Sequence, residues 1–257
     1  MKEGQKLWTR DELVLAINLY HKLPFGKMHN RTPEIQELAR IIGRTPASVA
    51  RKLGNFASFD PTLRERGVMG LSNASKLDNL IWNEFQNEKE DFVFESEKQF
   101  ARAKHTTIEK VFNIQENELP REGMTREQMV KVRVNQAFFR SSILASYNNT
   151  CCITGIKQNE LLIAGHIKPW GIDEKNRLNP QNGIAINALH DRAFETGLIT
   201  ISSDFKVKIS SVLKSQNRDQ TIQDYFLKYD NRPIILPSKY LPDKEFLDYH
   251  FTNRFIK

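Results

Sequence analysis

The longest apolar runs in this chain, such as Leu161–Ala164, extend only a few residues, and that limits what it can fold into. Spanning a bilayer takes roughly 20 apolar residues, so no membrane segment is expected. Any hydrophobic core must be assembled from amphipathic helices and short strands. Hydrophobic residues make up 39% of the chain and charged residues 27%, a balance that supports compact cores and excludes a disordered polymer. The polar start Met1–Lys6 passes directly into a helix signal, so no signal peptide is expected. Cys151 and Cys152 are the only cysteines. Vicinal cysteines rarely bond to each other, which excludes a secreted disulfide framework. The expected setting is a reduced cytoplasm.

Charge is unevenly spread. Residues 1–70 hold 12 Lys/Arg against 7 Asp/Glu, residues 71–120 hold 6 against 10, and residues 121–257 hold 20 against 14. Two basic blocks thus flank an acidic one, and basic surfaces gain affinity for nucleic acid by releasing counterions from its phosphates.

The first basic block reads as punctuated helix. Thr9 and Glu12 form a capping box ahead of Leu13, Val14 and Ile17. Thr32-Pro33 and Thr45-Pro46 each place a cap residue before a proline at the first helical position. The second and third helices, joined at Gly43, form a helix-turn-helix pattern. Arg44 lies in its turn, and its last helix is expected to present Ser48, Arg51, Lys52 and Asn55 outward, toward phosphates or base edges. A further helix is expected from Ser75 to about Gln86. The organisation predicted is a helical DNA-recognition module over 1–88, a connector over 89–124, and a second module over 125–257.

In the second module a long helix starts at Thr125, capped with Gln128, and runs to Tyr147. Arg133, Gln136 and Arg140 share one of its faces and are candidate phosphate contacts. The texture then changes. Leu161–Ala164 and Gly183–Ile186 read as short buried strands, Asn187 to about Glu195 as a helix closed by Gly197, and 198–201 with 205–209 as a hairpin. The fold class is therefore α+β.

His166 ends the first of these strands, Asn182 opens the second, and His190 lies on the helix. Phosphodiester hydrolysis needs an activated water and a cation to neutralise the phosphate and leaving oxygen. A neutral imidazole can take the water's proton near pH 7, and a second can hold the metal. An asparagine can either shape the loop or bind the metal through its amide oxygen.

Cys152 followed by Ile153-Thr154-Gly155, then Ala164-Gly165-His166-Ile167-Lys168-Pro169-Trp170, Asn179-Pro180-Gln181-Asn182-Gly183 and Ala188-Leu189-His190-Asp191-Arg192-Ala193-Phe194, occur in order. Over roughly 121–255 the chain resembles HNH endonucleases, the restriction-endonuclease subgroup in particular. The resemblance implies a ββα-metal fold, with His166 as general base, Asn182 as the middle residue of the signature and His190 as metal ligand. Many family members carry Asp or His where this chain has Gly165. Asp191 and Glu195 are then the nearby candidates to complete the metal shell, with water supplying the rest, as Mg²⁺ prefers; Mn²⁺ is the alternative. A four-cysteine structural zinc is impossible with two cysteines. Lys168 is a candidate DNA contact. The expectation is a metal-dependent endonuclease acting on double-stranded DNA as a homodimer, in restriction or defence against modified DNA. The competing reading is a non-catalytic DNA-binding regulator that keeps the scaffold, and an RNA nuclease or toxin would share the same chemistry.

Overall fold

The computed structural model describes residues 6–115 and 123–257. The first residues of the polar start and part of the expected connector, 116–122, lie outside the described residues. Contacts divide the chain into two units, Met1–Ser141 and Ser142–Lys257.

The first unit contains α1 (Arg10–Lys22), α2 (Pro33–Ile41), α3 (Pro46–Ala57), α4 (Pro61–Glu65), α5 (Lys76–Asn87), α6 (Lys89–Ala103), α7 (Ile108–Val111) and most of α8 (Arg126–Ser146). Local chemistry sets these boundaries. The Thr9 N–H donates to Glu12 Oε2 at 2.8 Å while Thr9 Oγ1 accepts from the Glu12 N–H at 3.3 Å. Two of the first-turn donors that a helix leaves unpaired are satisfied this way. Thr45 caps α3 through the Ser48 N–H. Thr32 does not cap α2; its hydroxyl turns back to the Lys27 carbonyl. The interior is aromatic: Tyr20 packs on Phe56 and Trp82 and donates to the buried Asp60 at 2.9 Å, and the His21 ring stacks on Phe85 at 4.1 Å.

α6 occupies the stretch that the acidic composition suggested was a connector. Its Phe92, Val93 and Phe94 are buried while Asp91 and Glu95 face solvent. Glu97 is buried too, bonded to Asn18 and ion-paired with Lys22. Counting carboxylates missed an amphipathic helix whose charges lie mainly on the outer face. The division accordingly falls within α8 and not near residue 88.

The second unit holds the last turn and a half of α8, then β1 (Leu162–His166), β2 (Gly183–Asn187), α9 (Ala188–Glu195), β3 (Ile199–Ile201), β4 (Val207–Ile209), α10 (Ser211–Lys214), α11 (Gln220–Tyr225) and α12 (Lys244–Asn253). β1 and β2 pair antiparallel with Ala164 opposite Ala185 and His166 opposite Gly183; β3 and β4 form a second antiparallel pair. Every residue of β2 is buried, as its unbroken apolar run requires. Cys151 and Cys152 are buried and free, and the Cys152 amide donates to the Ala185 carbonyl at 2.7 Å. α9 ends at Gly197, whose φ of 77° is left-handed. A Cβ there would stand 2.0 Å from the Arg254 carbonyl oxygen, so only glycine lets the end of the chain close on this turn.

α12 packs on β3 through His250, which is buried at 2% exposure. Its ring stacks on Phe194 at 3.7 Å, Nδ1 lies 2.8 Å from Thr200 Oγ1, and Nε2 donates to the Phe194 carbonyl at 3.1 Å. Burial pushes its pKa down to about 4, with the Phe194 carbonyl opposing and Arg254 assisting. Between pH 6.5 and about 4 the unfolded chain therefore binds a proton that the folded chain refuses, so stability falls as pH falls through that window. The gap corresponds to on the order of 3 kcal/mol. In urea unfolding from pH 7 to 4.5, His250→Gln is expected to lose less stability on acidification than the parent protein. An identical pH slope would refute the assignment.

Candidate active site

β1, β2 and α9 form a hairpin with a helix against it. The loop between the strands carries the polar residues, and its shape depends on Asn182. This side chain is fully buried: Oδ1 accepts the Lys168 N–H at 2.8 Å, and Nδ2 donates to the Lys168 carbonyl at 3.1 Å and the Asn176 carbonyl at 3.3 Å. Around it, Lys168 Nζ and Asn176 Nδ2 both reach Asp173 Oδ2 at 3.0 Å, and Asn179 Nδ2 donates to Asn176 Oδ1 at 2.9 Å. Lys168 holds the Asp173 carboxyl below its ordinary range. Of the two roles open to Asn182, its geometry matches the one that shapes the loop.

The loop delivers the Arg177 carbonyl to His166 Nε2 at 2.9 Å. A carbonyl only accepts, so Nε2 carries the proton and the neutral ring keeps its lone pair on Nδ1. Trp170 meets the imidazole edge-on at 5.4 Å and is itself covered by the Arg177 guanidinium at 5.3 Å. Burial lowers the His166 pKa, with the Arg177 carbonyl opposing. The ring is therefore a neutral acceptor at pH 7.

His190 lies deeper. Asn187 caps α9 by accepting the His190 N–H at 3.1 Å, and its Nδ2 sits 2.9 Å from His190 Nδ1. Nε2 donates to the Tyr225 carbonyl at 2.8 Å, and the ring packs against Phe226 and Tyr229. Both ring nitrogens are engaged, and the residue is 2% exposed.

Asp191, the next residue, is half-buried and faces Gly165. A Cβ at 165 would lie 2.7 Å from Asp191 Oδ1, so the helix carboxylate fills the space that a side chain at this position would take. Burial raises the Asp191 pKa first and the Glu195 charge second, against Arg192. Glu195 follows one helical turn on and is paired with Arg192 at 2.8 Å. Among the described residues no group of three or more His, Cys, Asp and Glu is placed to hold a metal.

The expected DNA contacts divide. Arg133, Gln136 and Arg140 are exposed on α8, and Arg51 is exposed on α3 with Ser48 beside it. The outward presentation expected of Lys52 and Asn55 is corrected: both are buried. Lys52 Nζ bonds both Asp78 oxygens at 2.8 and 2.9 Å, because Asp78, at the start of α5, also caps that helix. Arg44 is folded onto Glu12 at 2.7 and 2.9 Å. Lys168 is tied to Asp173 and lies over the Tyr249 ring at 5.1 Å. Sequence reasoning missed Arg177, which acts through its backbone and so leaves no side-chain signal, and Asn187, whose only signal is its cap position before His190. The clustering of Asp173, Asn176 and Asn179 was a legible sign of a self-bonded loop.

No helix among the described residues is long and apolar enough to cross a membrane. A search of curated proteins found no match. Residues 151–202 match the family model described as HNH endonuclease. The matched segment spans β1, the loop, β2, α9 and β3, and it is over these elements that the chain is similar to HNH endonucleases.

Proposed function

We propose that this protein is a metal-dependent endonuclease hydrolysing phosphodiester bonds in double-stranded DNA, with His166 as general base. The observation that carries the reading is the hydrogen bond from His166 Nε2 to the Arg177 carbonyl, which fixes the tautomer protonated on Nε2, the neutral form in which Nδ1 is the basic nitrogen. Asn182 holds the loop that supplies this carbonyl. His190 holds α9 to the 225–229 segment as a positioning residue, since both its nitrogens are engaged.

Asp191, with Glu195 on the same helix face, would hold the divalent ion. Mg²⁺ uses one or two carboxylates plus waters and substrate phosphate oxygens, so a half-buried carboxylate with a raised pKa fits it, and the same oxygens suit Mn²⁺. When bound, the ion neutralises charge on the phosphate and the leaving oxygen. Gly165 no longer favours the regulator reading, because Asp191 fills the space beside it. The helices α2 and α3 are proposed as a helix-turn-helix-like DNA module. Restriction of modified DNA as a homodimer is the proposed role, since cutting both strands takes two copies of a single site.

On plasmid DNA, cleavage is expected with Mg²⁺ or Mn²⁺, lost in EDTA, and reduced about 10²-fold or more in His166→Ala. Unchanged cutting by that variant would refute the base, and binding without cutting under every metal would favour the regulator. Preferential cutting of RNA would favour the RNA nuclease. Equal cutting of plasmids with and without adenine or cytosine modification would remove the modification requirement.

Gly165→Ala pushes against a movable carboxylate, not against backbone. It is expected to leave the melting temperature within a few degrees while weakening the Mg²⁺ dependence of cleavage about tenfold. An unaltered Mg²⁺ titration would remove Asp191 from the metal site.

A further inference from the structure

The first unit contains an open cleft of about 1000 Å³, bordered by the segment before α1, the face of α3 from Ser48 to Asn55 and the turn before α5. Among the described residues no carboxylate lines it. Trp8 forms one wall, held by the Arg44 guanidinium 4.2 Å from its ring and by Lys52 Nζ at 5.1 Å. These two cations are balanced by Glu12 and Asp78 beneath them, so they fix the indole in place. Arg51 stands exposed among the lining residues.

Asn55 supplies the second, independent observation. It is 6% exposed, its Nδ2 donates to the Asn73 carbonyl at 3.3 Å, and its Oδ1 is buried without a hydrogen-bond partner. A buried acceptor left without a partner is destabilising. Asn55 is among the residues lining the cleft, so a ligand seated there with an N–H donor is the partner this acceptor lacks. The site therefore asks for a flat molecule that presents an N–H donor and carries negative charge nearby.

We propose that this cleft takes an unstacked adenine or cytosine of DNA, its exocyclic amino group donating to Asn55 Oδ1. Trp8 provides the aromatic wall and Arg51 meets the adjoining phosphate. Both bases present an exocyclic amino donor, whereas an unsubstituted purine linked through N9 presents no N–H at all. The proposal rests on the reading of the protein as DNA-binding and adds the group that is read.

The test is fluorescence anisotropy of the full chain in EDTA, where no cutting occurs, on labelled duplexes carrying one unpaired adenine, cytosine, thymine or unsubstituted purine. Adenine and cytosine are expected to bind about tenfold tighter than purine, the worth of roughly one hydrogen bond at 1.4 kcal/mol per decade, and thymine, whose N3–H is set differently on the ring, more weakly than either. Asn55→Leu, with its fold checked by circular dichroism, should erase the difference. If that variant does not fold, the adenine-to-purine comparison on the parent protein decides alone. Equal affinity for all four duplexes, or tighter binding of RNA versions, overturns the proposal. Mg²⁺ cleavage of the same duplexes separates the two readings. Cutting without base preference rejects the cleft alone, whereas base preference without cutting rejects the nuclease alone.

Discussion

The connection between β1 and β2 is long for a loop, contains only two single-turn 3-10 helices, Glu174–Asn176 and Pro180–Asn182, and is held by one buried amide. Asn182 engages both the N–H and the C=O of Lys168 and reaches the Asn176 carbonyl as well. The Asn182 amide thereby supplies partners to the Lys168 N–H and C=O, while the Asn176 carbonyl also accepts the Asn179 N–H at 3.2 Å. The closure brings Arg177 back to the end of β1, where its carbonyl meets His166. Proton placement on the proposed base therefore depends on a side chain that itself touches no reacting atom.

Burial acts on each member of the site in the direction its proposed task requires. His166 is pushed down, so its ring is neutral at pH 7. Asp191 is pushed up, so its ionised form gains from a neighbouring cation. Replacement of a side chain at position 165 by the Asp191 carboxylate from α9 shows how the same space can be filled from another element. His190 is drawn into the interior by Asn187 and the Tyr225 carbonyl.

Much of this was legible in the sequence. The capping box at Thr9, the proline-led α2 and α3, the two short strands, α9 and its stop at Gly197 all follow from spacing and cap chemistry. What composition hid was α6, because its carboxylates face mainly outward while Phe92, Val93 and Phe94 face in. The inward turn of Lys52 was equally hidden, since its partner Asp78 lies on another helix and pairing across helices has no local signal. The Arg177 carbonyl was out of reach for a plainer reason: every residue has one. Helix periodicity gives a face, but it does not say which charged residue on that face will find a buried counter-ion.

The central claim is that a neutral His166 carries its proton on Nε2 and offers Nδ1 to the water. Side-chain ¹⁵N NMR of the metal-free protein at pH 7, with His166 assigned by comparison with His166→Ala, reads this directly. The account predicts a neutral ring with a protonated Nε2 and an unprotonated Nδ1, titrating below pH 6.5. A ring protonated on Nδ1, or fully charged at pH 7, would contradict it.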